Sequence, residues 1–140
     1  MKNSINARWK GNMAFEAEIG DHKIILDADE NFGGQNLGPR PKQLMMVALA
    51  GCTGIDVVSI LKKMRIEFDD LNIIVEGDLT EEHPKHYEKM KVIYEFTGKD
   101  LPFDKLQKAV TLSEEKYCGV RASYSKAMEV CSEIKIIDQK

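Results

Sequence analysis

Cysteines are few in this chain, basic residues are in no excess and long apolar runs are absent; each of these excludes something. The three cysteines, Cys52, Cys118 and Cys131, form no C-x-x-C, and none pairs with a histidine at zinc-finger spacing. A disulfide scaffold and a structural zinc finger are therefore not expected, nor is a metal or cofactor otherwise signalled. There is no basic excess: Lys+Arg 20 against Asp+Glu 23 gives a net charge of −3, which provides no electrostatic footprint for nucleic acid. The longest apolar run, Leu44 to Cys52, has 9 residues, whereas a bilayer span needs about 20. The opening segment MKNSINARWKG lacks the apolar centre of a secretory leader. These absences lead to the expectation of a soluble, cytoplasmic protein with one domain over residues 1–140, engaging neither nucleic acid nor membrane. A chain of 140 residues buries roughly two thirds of the surface it exposes when unfolded, enough for a core without staples.

The patterning that is present reads as α+β with antiparallel sheet. Ser4 to Trp9, Ala14 to Ile19 and Lys23 to Asp27 are short strands, separated by the hairpin punctuation Lys10-Gly11-Asn12 and Gly20-Asp21. A polar loop, Ala28 to Arg40, leads to Pro41, a residue suited to the first turn of a helix because its missing N–H is not needed there. That helix is expected to run to about Met64, ending in the cations a helix C-terminus favours. Its first half is apolar nearly all round, which predicts burial on several sides. Leu71 to Leu79 and Tyr87 to Thr97 alternate as strands around a charged turn. Phe103 to Tyr117 is expected to be a second helix, with Phe103, Leu106, Val110 and Ser113/Tyr117 inward and Gly119 as its left-handed stop. A short helix from Ser123 to Val130 and a strand from Ile134 to Ile137 complete the expectation.

Cys52 lies in Ala50-Gly51-Cys52-Thr53-Gly54, inside the long helix. Each glycine costs about 1 kcal/mol against alanine there, so something is expected to approach closely. A small core residue and a reactive thiol both remain open for Cys52, and likewise for Cys118. Cys131 has no supporting context and reads as structural. The histidines, His22, His83 and His86, are not spaced as ligands. Met45, Met46, Met64 and Met90 suit a core or the lining of an apolar pocket.

Gly38-Pro39-Arg40-Pro41-Lys42-Gln43-Leu44 followed by Ala48-Leu49-Ala50-Gly51-Cys52-Thr53 resembles the first cysteine motif of the OsmC/Ohr family, G-P-x-P-x-E-L then A-x-x-G/A-C. Ile55 to Lys63 resembles its YhfA-type branch, and Ala109 to Cys118 resembles the second cysteine motif. The resemblance implies an OsmC-like fold, an intertwined homodimer with its sites at the subunit interface, and thiol peroxidase activity on organic hydroperoxides. On this mapping Cys52 attacks the peroxide and Cys118 resolves the product. A dithiol, typically a lipoyl group on a protein, is the implied reductant.

Members with peroxidase activity activate the first cysteine with an arginine held by a glutamate nine or ten positions before it. Lys42 and Gln43 stand at those positions here. Cys52 is remote from the positive end of its helix, and Asp56, on the same face, opposes a thiolate. The guanidinium therefore has to come from elsewhere, with Arg40 and Arg8 as candidates and Gln43 as an orienting residue. The second reading, favoured by the missing glutamate, is a non-enzymatic OsmC-fold dimer that binds a small apolar or thiol-containing ligand.

Overall fold

The computed structural model describes residues 1–138. They form an α+β structure with two three-stranded sheets, arranged as two compact units that divide after Met45.

In the first unit, β1 (Asn6–Trp9), β2 (Phe15–Ile19) and β3 (His22–Leu26) make an antiparallel meander. Gly20 takes a φ of 58° in the tight β2–β3 turn, a conformation glycine adopts without steric cost. The loop after β3 is organised by Asp27, which is buried. Its carboxylate accepts from the backbone N–H groups of Ala28, Gln35 and Leu37 at 2.7, 3.1 and 3.1 Å. Burial works the other way, but these donors and the Arg40 guanidinium hold the Asp27 carboxyl below its ordinary range. Gly38 crosses the β3 backbone so closely that a Cβ would overlap the Ile25 carbonyl. The glycine of the Gly38-Pro39 motif is thus a packing requirement.

Helix α1 spans Gln43–Lys63, with Pro41 and Lys42 in the turn that leads into it. By length and composition it is long and apolar enough to cross a membrane. Here it buries a stripe of Leu49, Thr53, Val57 and Leu61, spaced by four residues. Val47, Ile55 and Val58 on its other faces are exposed, so the burial on several sides expected from the sequence is not met within one chain. The two glycines also differ. A Cβ on Gly54 would press to 2.8 Å from Ile73, while Gly51 faces open space.

In the second unit, β4 (Asp70–Leu79) pairs antiparallel with β5 (Tyr87–Gly98). Opposed residues include Ile73 with Tyr94, Val75 with Val92 and Gly77 with Met90. Met90, Val92, Tyr94 and Phe96 are fully buried, so β5 supplies the centre of this core. The antiparallel expectation fails at one pairing. β6 (Glu129–Asp138) runs parallel to β5 because the chain crosses over through helices before it returns.

That crossover departs most from expectation. The second helix, α2, covers only Phe103–Leu112. Ser113–Tyr117 forms a π-helical turn, closed by a 2.7 Å bond from the Cys118 N–H to the Ser113 carbonyl. Gly119 does not stop a helix in the left-handed region. It opens α3, Gly119–Tyr124, with Cys118 as N-cap. The helix expected over 123–130 therefore lies earlier in the chain, and the last strand is longer than predicted. Leu106, Ala109, Val110 and Ser113 are buried as an inward face requires. Phe103, at the first position of α2, and Tyr117 are exposed. For Tyr117 the reason is the extra residue in the π turn, which rotates its end away from the 3.6-residue period of α2.

Candidate active site

Two elements bring the candidate site together. On α1, Cys52 precedes the buried Thr53 and is half-buried at the edge of the inward stripe; Asp56 follows one turn later. Cys118 stands where the π turn ends and α3 begins, and it is 3% exposed. The two sulfurs and an Asp56 carboxylate oxygen all lie within 4.8 Å of one another. The Ser113 hydroxyl donates to Asp56 Oδ2 at 3.0 Å, tying the π turn to α1. The Arg121 backbone N–H donates to Cys118 Sγ at 3.3 Å.

Burial pushes the Cys118 thiol up to about 11. The Arg121 N–H pulls the other way, and the neighbouring Cys52 and Asp56 add to the rise. Tyr94, whose buried hydroxyl lacks a well-formed hydrogen bond, is pushed up to about 12. Burial is again the main cause; the Thr53 hydroxyl and Arg121 oppose it, while Glu114 and Cys118 reinforce it. Glu114 and Arg121 form an ion pair at 3.2 Å, with little of either side chain exposed. A second guanidinium nitrogen of Arg121 donates to the Val130 carbonyl at 2.9 Å, fastening α3 to β6.

The pair expected from the two motifs, Cys52 and Cys118, thus meets in one cluster. Cys131 is on β6 opposite Lys91 and does not belong to it. Arg8 and Arg40 both fall in the N-terminal unit. Arg8 is exposed on β1 opposite Glu16. Arg40 donates to the carbonyls of Asp27 and Gly38 at 3.3 and 2.7 Å, and to Asn36, and it lies 3.6 Å from Asp29. Gln43 is the first residue of α1. Met90 belongs to the core, and Met46 packs beside Gly77. His83 and His86 are exposed in the β4–β5 connector. Sequence reasoning missed Ser113 as a partner of Asp56, and it missed the Glu114–Arg121 pair. That pair spans the break at Cys118, from the π turn to α3, so no single helical period marked it.

A family model described as OsmC-like protein matches residues 33–133, which include both cysteine motifs. The chain belongs to the OsmC-like family. Protein YhfA of Escherichia coli K12 is 30% identical over 131 residues, covering 93% of this chain and 95% of YhfA. A hypothetical protein of Aquifex aeolicus superposes with a TM-score of 0.86 at 28% identity, over 100% of this chain and 99% of the other. The organic hydroperoxide resistance protein OhrB of Bacillus subtilis shares the fold, with a TM-score of 0.65 at 22% identity over 96% and 98% of the two chains. The expected OsmC-like fold is confirmed by these superpositions.

Proposed function

We propose that this OsmC-like protein is a thiol peroxidase that reduces organic hydroperoxides. The observation that carries the reading is the proximity of two thiols of unequal access: Cys52 half-exposed, Cys118 buried behind it, their sulfurs within 4.8 Å. OhrB, which has the same fold, is described as an organic hydroperoxide resistance protein. The Cys52 thiolate attacks one peroxide oxygen, the O–O bond breaks, and the alcohol leaves with a proton. Cys52 becomes a sulfenic acid. The Cys118 sulfur then attacks the Cys52 sulfur, water leaves, and a disulfide forms before irreversible over-oxidation. A disulfide needs an S–S distance of about 2.05 Å, so the sulfurs close by less than about 3 Å. A dithiol of the lipoyl type returns both residues to thiols by exchange.

The chain is further proposed to act as a homodimer. The exposed Val47, Ile55 and Val58 on α1 support this reading, since a single chain leaves them in water. A guanidinium from the N-terminal unit, Arg40 or Arg8, is the proposed activator of Cys52. The pH dependence of Cys52 alkylation in Arg40→Ala and Arg8→Ala tests that role, and a profile unmoved by either substitution rejects it.

The direct test is incubation of reduced protein with cumene hydroperoxide. Two of the three thiols should disappear, with a Cys52–Cys118 linked peptide recovered. Cys118→Ser should halt at a sulfenic acid that dimedone traps. A thiol count unchanged by peroxide would defeat the proposal. It would favour the ligand-binding reading, to which Lys42 and Gln43 in place of a carboxylate lend support.

A further inference from the structure

We infer that Cys52 Sγ, Cys118 Sγ and the Asp56 carboxylate form a binding site for a single zinc(II) ion, with a water as the remaining ligand. The inference is independent of peroxide chemistry and rests on how these three side chains are placed.

The donors come from two elements, α1 and the end of the π turn, and lie mutually within 4.8 Å. Around a tetrahedral zinc with Zn–S about 2.3 Å and Zn–O about 2.0–2.2 Å, such donors stand roughly 3.4–3.8 Å apart. Contraction by about 1 Å, within the reach of side-chain rotation, completes the geometry. The carboxylate is already oriented, because Ser113 donates to its Oδ2 at 3.0 Å. A hydrogen bond that fixes a ligating group in this way is characteristic of metal sites.

The guanidinium beside this cluster, Arg121, is paired with Glu114 and bound to the Val130 carbonyl. On binding, each thiol releases its proton to solvent and no electron moves, so zinc(II) with two thiolates and one carboxylate leaves the site with a single negative charge. Two soft thiolates favour zinc over magnesium or calcium.

Asp56 also borders a small cavity of about 110 Å³ shared with Ser59, Ile60, Lys63 and Tyr117, which neither sulfur lines; the water as fourth ligand is part of the inference.

Titration of the reduced, metal-free, full-length protein with cobalt(II) under anaerobic conditions tests the site. One equivalent should produce a thiolate-to-cobalt charge-transfer band with tetrahedral ligand-field absorption, and one equivalent of zinc(II) should bleach both. Cys52→Ser and Cys118→Ser should each lose the tetrahedral spectrum. Asp56→Asn, with both thiols intact, should weaken binding at least about tenfold, the loss that even outer partners of a metal ligand cause. Cys131→Ser should titrate like wild type. In unmodified protein, zinc(II) should slow iodoacetamide labelling at Cys52 and Cys118 and leave Cys131 unaffected, a readout that requires no variant to fold. Absence of the charge-transfer band, or equal labelling with and without zinc, would overturn the inference. So would a band that survives Cys118→Ser or Asp56→Asn unchanged. The peroxide test on metal-free protein can succeed or fail independently of this one.

Discussion

The two cysteine-bearing segments are built by opposite means. Cys52 sits in regular helix, and α1 is held by an apolar stripe, Leu49, Thr53, Val57 and Leu61, whose only hydroxyl donates its proton to the Leu49 carbonyl at 2.8 Å. Cys118 sits at an irregular break, and residues 113–124 are held largely by polar links: Ser113 to Asp56, Arg121 to Glu114, Arg121 to Val130. Hydrophobic burial is strong and non-directional, so it fixes a helix without specifying a thiol's environment. Hydrogen bonds and ion pairs are weaker but directional, and they set where the Cys118 sulfur points.

Four measurements test this contrast. Leu49→Ala should destabilise the whole protein by about 2–5 kcal/mol, the usual loss for a buried leucine, as read by urea denaturation. A loss under about 1 kcal/mol would mean that the stripe does not hold α1. Next comes thiol reactivity. With its thiol near 11, Cys118 should be alkylated at neutral pH about a hundredfold more slowly than an unperturbed peptide thiol, because only the thiolate reacts. Labelling of Cys118 as fast as a peptide thiol would contradict the burial argument. Ser113→Ala should cost about 1 kcal/mol, the net value of one hydrogen bond. It should also raise hydrogen exchange over 113–124 more than over α1; an equal rise in both segments would show that they open together.

The fourth measurement is the pH dependence of stability in alkali. A thiol whose folded pKa lies above its unfolded value binds its proton more tightly in the folded state. The contribution of Cys118 is therefore complete below about 9.0 and is lost as pH rises towards about 11. Tyr94 extends the decline from 10.0 towards about 12. Cys118→Ser should flatten the first part of the alkaline slope and leave the Tyr94 part. An unchanged slope in that variant would assign the whole decline elsewhere.

Legibility in the sequence divides along the same line. Regular elements with an apolar period were readable, because burying one face leaves a trace every 3.6 or 2 residues. α1, β4 and β5 fall within a few residues of their expected bounds, and so does the N-terminal meander. The segment after Leu112 was not readable. A π turn adds one residue without a compositional mark, so Gly119 had the look of a helix stop when it opens α3. The same displacement hid the long parallel β6 and left Tyr117 exposed where an inward face was expected.

The sequence by itself determined that the chain is an α+β member of the OsmC-like family, and its resemblance to that family pointed to Cys52 and Cys118 rather than Cys131. Local periodicity and motif spacing are properties of the chain, and they survive without coordinates. Only the tertiary structure decided that the two sulfurs meet beside Asp56, that Ser113 orients that carboxylate, that Cys118 is the buried partner, and that Arg121 is committed to Glu114 and Val130. The meeting of the sulfurs and the Ser113–Asp56 bond join residues far apart in the chain, 66 and 57 positions respectively. Their cause is the closing of the crossover onto α1, a long-range event whose directional bonds leave no period for a sequence to show.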